Sequence, residues 1–267
     1  MKNTRSLDTL CAALAETMGI AAPACAAAPS PELCEYVQNV LDGQKADRIF
    51  MYNPDAIAQW VYEKYRPMFQ EAVSRTELAV PFCTVMPSVT PVCFGTMYTG
   101  AQPAVHGIQA YVKPVIAIET MFDALIKAGK KPAIVSTAGD SMSKIFLERD
   151  MDYFIYDSVE KVNAKACQLI LEDKHDFIAV YNGNYDSFMH KYAPESAEAL
   201  GELRANVRTF GMFAEMIEEH WTSHNTLLGF AMDHGCHEID GQCGSHGLDM
   251  DEDLNIVHLY KAFPKQN

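Results

Sequence analysis

The sequence FIAVYNGNYDSFMH, at residues 177–190, is the clearest guide to the fold class of this chain. It opens with an uninterrupted apolar run, as long as a strand that is buried on both faces, and a polar turn with a glycine follows. Asp186 and His190 then stand four residues apart, a spacing that puts two side chains on one face of a helical turn. The stretch predicts a buried strand, a turn and a helix, with polar side chains just beyond the strand.

Short apolar runs alternate with helical patterns from about residue 47 to the end of the chain. We predict strands at residues 49–52, 133–136, 153–156, 177–181, 227–231 and 256–260. Helices are predicted at residues 55–65 and 196–221, and the apolar stripe of the second, from Leu200 to Trp221, is interpreted as core. This alternation predicts an α/β fold, with a mostly parallel central sheet flanked by helices.

Residues 1–45 precede the first predicted strand, and we interpret them as an N-terminal helical extension packed on the domain. A short amphipathic helix at residues 7–18 would carry Leu7, Leu10, Leu14 and Met18 on one face. Because no repeat, low-complexity segment or Pro/Ser-rich linker divides the remainder, residues 46–267 are predicted to form a single domain.

Composition excludes several classes of function. The 267 residues include 21 Lys and Arg against 35 Asp and Glu, a formal charge of −14, which argues against a nucleic acid polymer as partner. No stretch approaches the roughly 18 apolar residues of a membrane helix. Lys2 and Arg5 precede an alanine-rich segment that imitates a signal peptide, but Asp8 and Glu16 interrupt it. With eight cysteines scattered without a framework spacing, we expect a cytoplasmic protein.

Ligands of open α/β sheets bind beyond the carboxyl ends of the strands, so the polar residues that follow each predicted strand are candidates. Six carboxylate and imidazole residues follow strands or lie in a glycine-flanked loop: Asp55, Asp186, His190, Asp233, His234 and His246. Asn53 is the alternative to Asp55. Taken singly, an Asp at a strand end commonly caps a helix. Together, these side chains form a donor set that suits Zn²⁺, or Mn²⁺ where carboxylate and water dominate.

The nucleophile candidate is Thr90, which precedes a proline. Because Pro is favoured at the first position of a helix, Thr90 would be the N-cap, with its hydroxyl at the positive end of the helix, where anions bind. An ordinary Thr-Pro cap explains the same residues, and Ser88, Cys93 and Thr96 are competing nucleophiles.

The run PSVT at residues 87–90, continued by YTGAQPAVHGI at residues 98–108, resembles the nucleophile segment of the type I phosphodiesterase/nucleotide pyrophosphatase family, within the alkaline phosphatase superfamily. The other motifs of that family follow in order: D-x-x-x-H at Asp186, D-H-G at Asp233 and G-S-H-G at Gly244. Together the motifs span about residues 47–260. The resemblance implies an alkaline-phosphatase-like catalytic domain in a minimal version, without a large cap domain.

The resemblance also implies two divalent metal ions, with zinc as the first choice. One ion would be held by Asp186, His190 and His246. The other would be held by Asp55, Asp233, His234 and the oxygen of Thr90. The resemblance makes Thr90 the catalytic nucleophile and gives His106 a structural role.

One position departs from the family pattern. The diesterases of this family commonly carry Asn three residues after the nucleophile, in contact with a phosphoryl oxygen, whereas this chain has Cys93, whose thiol is a weaker donor. We assign Cys93 and Asn184, which borders the metal ligands, to substrate binding.

The predicted function is metal-dependent hydrolysis of a small-molecule phosphate ester, preferably a phosphodiester of nucleotide type. A phosphomonoesterase, a phosphonoacetate-type hydrolase and a catalytically silent relative that binds metal or nucleotide are the alternatives. Association into a homo-oligomer stays open.

Overall fold

The computed structural model describes residues 1–266, and its centre is a sheet of seven strands. A two-stranded hairpin lies beside the sheet. In chain order the strands are β1 (Arg48–Pro54), β2 (Leu78–Cys83), β3 (Pro132–Thr137), β4 (Asp152–Tyr156), β5 (Phe177–Asn182), β6 (Thr226–Phe230), β7 (His237–Ile239), β8 (Cys243–Ser245) and β9 (Asn255–Phe263).

Helices connect these strands and cover the sheet. They are α1 (Thr9–Met18), α2 (Pro31–Val40), α3 (Gln59–Lys64), α4 (Gln70–Val73), α5 (Thr90–Thr99), α6 (Pro103–His106), α7 (Met121–Lys127), α8 (Met142–Ile145), α9 (Val159–Glu172), α10 (Asn184–Tyr192), α11 (Ala197–His220) and α12 (Asp251–Leu254). A 3₁₀ turn at Arg66–Phe69 joins α3 to α4.

The strand order in the main sheet is β2-β9-β6-β1-β5-β3-β4, and β9 is the strand that pairs antiparallel with both of its neighbours. The other pairings are parallel, so the predicted α/β fold with a mostly parallel sheet is confirmed. All residues of β5 and β6 are buried, as expected of strands that are covered on both faces. Within residues 1–266 the connections pack on this one sheet, without a large cap domain.

Strand β2 was not predicted from the sequence, because Pro81 interrupts its pattern of strand-forming residues. Proline cannot donate to a ladder, so it is tolerated at the edge of a sheet, and β2 is the edge strand next to β9. Its alternating burial also hides the apolar run that marks the central strands. The small hairpin of β7 and β8 was likewise not predicted.

Helix α11 forms as the apolar periodicity predicts, with Ser196 accepting a hydrogen bond from the amide of Ala199 at 3.1 Å as its N-cap. Its stripe packs on the sheet, where Phe213 lies 5.1 Å from Phe50 between ring centroids. The helix predicted at residues 55–65 begins later, at Gln59. The reason is Ala56, whose φ of 60° is incompatible with a right-handed helix, so residues 55–58 form a loop.

The N-terminal 45 residues lie along one edge of the molecule. Leu7 donates its amide to the carbonyl of Cys83 at 3.0 Å, so the chain before α1 pairs with β2. Helix α1 begins at Thr9, and it is buried on more than the one stripe that was predicted, because α2, α5 and α7 all contact it. Its alanines allow these neighbours to approach closely.

Among residues 1–266, no helix has the length and apolar character needed to cross a membrane.

The fully buried His258 on β9 provides a pH test of the fold. Its Nε2 lies 2.6 Å from the carbonyl of Met232, which can only accept, so Nε2 carries the proton and Nδ1 accepts from the Tyr260 hydroxyl at 2.8 Å. Burial lowers the pKa of His258 from 6.5 to about 4, although the hydrogen bond to Met232 opposes the shift.

We predict that His258 makes the protein less stable as the pH falls from 6.5 towards 4, because only the unfolded chain takes up a proton there. The loss of unfolding free energy over this range is on the order of 3 kcal/mol for this group. In His258→Gln the loss should be smaller by that amount, as measured by urea unfolding at several pH values. His220→Gln, which removes a more exposed histidine, is the control. An equal dependence of the unfolding free energy on pH in all three proteins would contradict the role of His258.

Candidate metal centre and nucleophile

The predicted ligands lie at the carboxyl ends of β1, β5 and β6, which are adjacent parallel strands. Asp55 follows β1, and its amide donates to the carbonyl of Asn182 at the end of β5 at 3.0 Å. Asp233 and His234 follow β6, while Asp186 and His190 lie on α10 directly after β5. Asn53, the alternative to Asp55, instead donates to the carbonyl of Ala231 at 3.0 Å as a structural amide.

The first cluster consists of Asp55, Asp233 and His234, all of them buried. His234 Nε2 lies 3.2 Å from Asp55 Oδ1 and 3.3 Å from Asp233 Oδ2. Asp233 uses its other oxygen to accept from the amide of Ala56 at 3.2 Å. One oxygen of each carboxylate and one imidazole nitrogen therefore face a common point.

The second cluster consists of Asp186, His190 and His246, and it is closer to the surface. His190 Nε2 is 3.2 Å from Asp186 Oδ1, and His246 Nε2 is 3.3 Å from the same oxygen. The rings of His234 and His246 lie 4.1 Å apart between centroids, so the two clusters are neighbours.

The backbone orients all three imidazoles in the same way. The Nδ1 atoms of His190, His234 and His246 each lie 2.9 Å from a backbone carbonyl oxygen, those of Gly244, Gly235 and Ser88 respectively. A carbonyl oxygen only accepts, so each Nδ1 carries a proton. The three Nε2 atoms are left to face the carboxylates, as in proteins whose metal-ligating histidines donate their other N–H to a carbonyl.

Three carboxylate oxygens in these clusters have no hydrogen-bond partner among residues 1–266: Asp55 Oδ1, Asp186 Oδ1 and Asp233 Oδ2. Unpaired buried carboxylate oxygens are costly unless a cation compensates them. Imidazole and carboxylate are also the donors that Zn²⁺ and Mn²⁺ accept. The residues present therefore fit one divalent ion in each cluster.

Protons compete with a cation for the same positions. Burial alone would lower the pKa of His234, but the carboxylates of Asp233 and Asp55 outweigh it and raise the pKa to about 10. Burial, reinforced by the charge of Asp55, raises the pKa of Asp233 well above its ordinary value. Burial also acts to raise the pKa of Asp186, but the adjacent imidazoles of His190 and His246 favour the carboxylate and lower the pKa. A bound cation would replace these protons.

Thr90 lies between Asp55 and His234. Its Oγ1 is 3.3 Å from Asp55 Oδ2 and 3.3 Å from His234 Nε2, and the residue is 3% exposed. The predicted N-cap is wrong by one position, because α5 begins at Thr90 with Val89 as its N-cap. The Thr90 hydroxyl is turned towards the cluster, and the start of α5 has no side-chain cap.

The competing nucleophiles are placed differently. Thr96 Oγ1 lies 3.1 Å from His106 Nε2, and His106 packs so closely on Gly95 that a Cβ there would lie 2.7 Å from its ring. Cys93 is fully buried, with its sulfur 3.1 Å from the hydroxyl of Thr84. Burial and the charge of Asp233 raise the pKa of Cys93 well above its ordinary value. Ser88 is buried too.

The first turn of α5 has few free donors for a phosphoryl oxygen. Pro91 has no N–H, and the amides of Val92 and Cys93 both donate to the carbonyl of Val89 at 3.0 Å. The amides of Val92 and Cys93 are therefore not free to bind a phosphoryl oxygen.

Tyr181, at the end of β5, is a site residue that the sequence analysis missed. Its hydroxyl donates to Asp55 Oδ2 and leaves Asp55 Oδ1 unpaired. Asn184, which sequence analysis did assign to the site, is half-buried and donates to Glu202 at 3.0 Å. Tyr181 ends an apolar run, and no local pattern distinguishes it from a core residue.

A cavity of about 340 Å³ adjoins the clusters and is lined by Asp55, Asp186, Tyr181 and Asn184. It extends over the carboxyl ends of β3 and β4, where Asp140 lies. Burial, with the charge of Asp55, raises the pKa of Asp140 to about 7, against the opposing charge of Lys113. The polar residues after β3 and β4 met the rule that identified the metal ligands, yet they were not singled out.

The fold and the arrangement of the clusters define an α/β protein of the alkaline phosphatase superfamily. The sequence profile of the type I phosphodiesterase/nucleotide pyrophosphatase family matches residues 127–262, which is half of the chain, and the chain belongs to this family. No curated protein sequence matches the chain.

Solved structures share the fold. Human ectonucleotide pyrophosphatase/phosphodiesterase 5 is 16% identical, with a TM-score of 0.58 over 72% of this chain and 58% of its own. An inactive threonine-to-alanine variant of the murine protein, in complex with AMP, is also 16% identical, with a TM-score of 0.56 over 73% of this chain and 58% of its own.

Phosphonoacetate hydrolase from Sinorhizobium meliloti, in complex with phosphonoacetate, is 17% identical, with a TM-score of 0.54 over 75% of this chain and 61% of its own. This chain thus spans about three fifths of the length of these structures.

We predict that protein purified without chelator contains two divalent ions per chain, one for each cluster. In His190→Gln the content should fall to about one, because the second cluster loses an imidazole. The matched control is His224→Gln, which breaks another His–Asp pair, at 2.7 Å to Asp173, outside both clusters. Elemental analysis after dialysis measures the content, and undiminished metal in His190→Gln would refute the ligand assignment.

Proposed function

We propose that this protein is a metal-dependent hydrolase of small phosphate esters, with phosphodiesters as its preferred substrates and Thr90 as its nucleophile. The observation that carries the proposal is the position of Thr90, whose hydroxyl lies 3.3 Å from both Asp55 and His234 at the start of a buried helix. Asp55, Asp233 and His234 would hold one ion, with Thr90, and Asp186, His190 and His246 the other.

Charge supports the proposal. Two divalent ions bring +4 against −3 from Asp55, Asp186 and Asp233, so the loaded site would be positive on a chain whose formal charge is −14. A phosphate ester would then be attracted to this one place and repelled by most of the remaining surface.

The chemistry that such ions supply when bound is the lowering of the pKa of a hydroxyl and the stabilisation of a leaving oxygen. Asp55 Oδ2, at 3.3 Å, can accept the proton of Thr90. The Thr90 oxygen then forms a bond to phosphorus as the bond to the leaving oxygen breaks, and the leaving group departs as an alcohol after protonation. Water hydrolyses the phosphothreonine and releases the remaining phosphate and free Thr90.

The chain's own residues orient the substrate. Because the Val92 and Cys93 amides are occupied and the Tyr181 hydroxyl donates to Asp55, we assign substrate hydrogen bonds to the Lys113 ammonium and the Ser141 hydroxyl, two donors that border the cavity. Cys93 is buried beneath the site, so the Asn of the family pattern is replaced by a group that cannot do the same work. Asn184 would contribute its carbonyl oxygen, since its amide is held by Glu202.

The relatives support the proposal in outline. The murine relative was obtained with AMP as an inactive threonine-to-alanine variant, and inactivation is the behaviour that we propose for Thr90. The bacterial relative binds phosphonoacetate, which keeps hydrolysis of a phosphonate as the second candidate. Zinc as the ion and the cytoplasm as the location remain predictions.

We predict that Thr90→Ala lowers kcat by at least about 10³-fold with unchanged metal content, because the nucleophile is lost while Asp55, Asp233 and His234 remain to hold the ion. The measurement of kcat uses bis(4-nitrophenyl) phosphate and 4-nitrophenyl phosphate with the metal-loaded proteins. The wild type should prefer the first of these, the diester. Thr99→Ala is the matched control, because Thr99 bonds the carbonyl of Gly95 at 2.7 Å within the same helix. An active Thr90→Ala would exclude Thr90 as nucleophile.

The wild type also tests the proposal as a whole. Preference for the monoester would make the protein a phosphatase. Two bound ions without turnover of either ester, but with release of phosphate from phosphonoacetate, would establish the second candidate. Two bound ions without any turnover would identify a silent relative.

A further inference from the structure

The cavity beside the proposed metal centre has a lining that is almost entirely polar. It lies between the loop after α6 and the residues that follow β3, β4 and β5, and Asp55 and Asp186 form its inner wall. Val159 is its single aliphatic side chain among the residues that the structure describes. A group bound here would be attached to a phosphorus atom at the metal centre, so this is where the leaving group would lie.

Ser141 gives the clearest indication of a ligand. The residue is 1% exposed, lines the cavity, and its hydroxyl has no hydrogen-bond partner in residues 1–266. A buried hydroxyl without a partner costs free energy, and native structures rarely contain one unless a ligand or water satisfies it. Ser141 therefore marks a position where a polar atom of a ligand is expected.

Hydrogen-bond donors and acceptors line the cavity together with Ser141. Lys113 uses one of its N–H groups on the carbonyl of Gly139 at 2.8 Å and keeps two. Asp140 accepts from the hydroxyl of Thr137 through one carboxylate oxygen. Asn184 keeps its carbonyl oxygen, since its amide donates to Glu202.

We propose that this cavity binds a hydroxyl-rich leaving group, so that the substrate is the phosphate ester of a polyol or sugar. The inference rests on the proposed function, because it names the substrate class of the same site. A hydroxyl both donates and accepts, and it is the group that can satisfy Ser141, Lys113 and Asp140 together.

Other leaving groups fit the lining less well. An alkyl chain would find Val159 alone, and a quaternary ammonium has no donor or acceptor for the hydrogen bonds of Ser141 and Lys113. An anionic group would face the carboxylates of Asp140, Asp157 and Glu160. A nucleobase needs flat apolar surfaces, and in this lining those are Tyr111, 60% exposed, and Tyr181, whose hydroxyl is bound to Asp55.

The test compares two ligands that differ only in hydroxyl groups. Glycerol 3-phosphate and propyl phosphate carry the same phosphate on a three-carbon chain, and each is titrated by calorimetry into metal-loaded Thr90→Ala, which does not consume them. We expect glycerol 3-phosphate to bind about tenfold more tightly, as two hydroxyls in satisfied hydrogen bonds would give. Equal binding, or tighter binding of propyl phosphate, would overturn the inference.

Ser141→Ala, combined with Thr90→Ala, should reduce this preference about fivefold, because one hydrogen-bond partner is lost. Ser30→Ala is the matched control, since Ser30 is also a buried serine whose hydroxyl has no partner, and it lies at the start of α2 away from the cavity. An unchanged preference in Ser141→Ala would refute the role of Ser141. Tighter binding of phosphocholine or AMP than of glycerol 3-phosphate would replace the polyol by a cation or a nucleoside.

Turnover separates this inference from the proposed function. Wild-type hydrolysis of the aryl esters with equal binding of the two alkyl phosphates would leave the function intact and reject the polyol. Preferential binding of glycerol 3-phosphate without hydrolysis of any ester would reject the enzyme and support a polyol phosphate receptor.

Discussion

The parallel pairing of β1 with β5 and β6 is the constraint on which the site depends. It brings the carboxyl ends of three strands to one edge of the sheet, and Asp55, Asp186 and Asp233 follow those ends. Since these strands are buried, the carboxylates that follow them lose much of their solvent, and two of them are almost completely enclosed. In the proposed function, their charge would attract cations to the neighbourhood of Thr90 and, through these cations, phosphate.

Hydrogen bonds to the backbone fix the orientation of the three imidazoles beside these carboxylates. Each of the three histidines is held by a bond from Nδ1 to a carbonyl oxygen, and one of these oxygens belongs to Ser88, two residues before Thr90. The segment that carries the proposed nucleophile thus orients His246, a proposed ligand of the second cluster. The third position of the D-H-G motif has to be glycine. A Cβ at Gly235 would lie 2.0 Å from the carbonyl oxygen of Glu252, so a residue with a side chain would prevent this loop from packing against α12.

In the proposed function, substrate recognition departs from the pattern of the family. With Cys93 buried and the first amides of α5 occupied, the groups that can address a substrate belong to the ends of β3, β4 and β5 and to the loop after α6. These are loops on a rigid sheet, where side chains can change without disturbing the core. In our proposal the polar cavity with Ser141 would therefore determine substrate specificity, while the two clusters would provide the chemistry.

The sequence by itself determined the central strands, the long helix α11 and the order of the ligand motifs, because apolar periodicity and short motifs are local properties. It also identified Asp55, Asp186 and Asp233 as candidate ligands, through the rule that ligands bind beyond the carboxyl ends of strands. The tertiary structure alone decided that Thr90 lies inside the first turn of α5 and faces Asp55, that Tyr181 bonds to the same carboxylate, and that β2 is an edge strand despite Pro81. It also decided that the Ser141 hydroxyl has no hydrogen-bond partner in the part of the chain that the structure describes. These features are contacts between residues far apart in the chain, and no local pattern encodes them, because they depend on how the sheet, the hairpin and the helices meet.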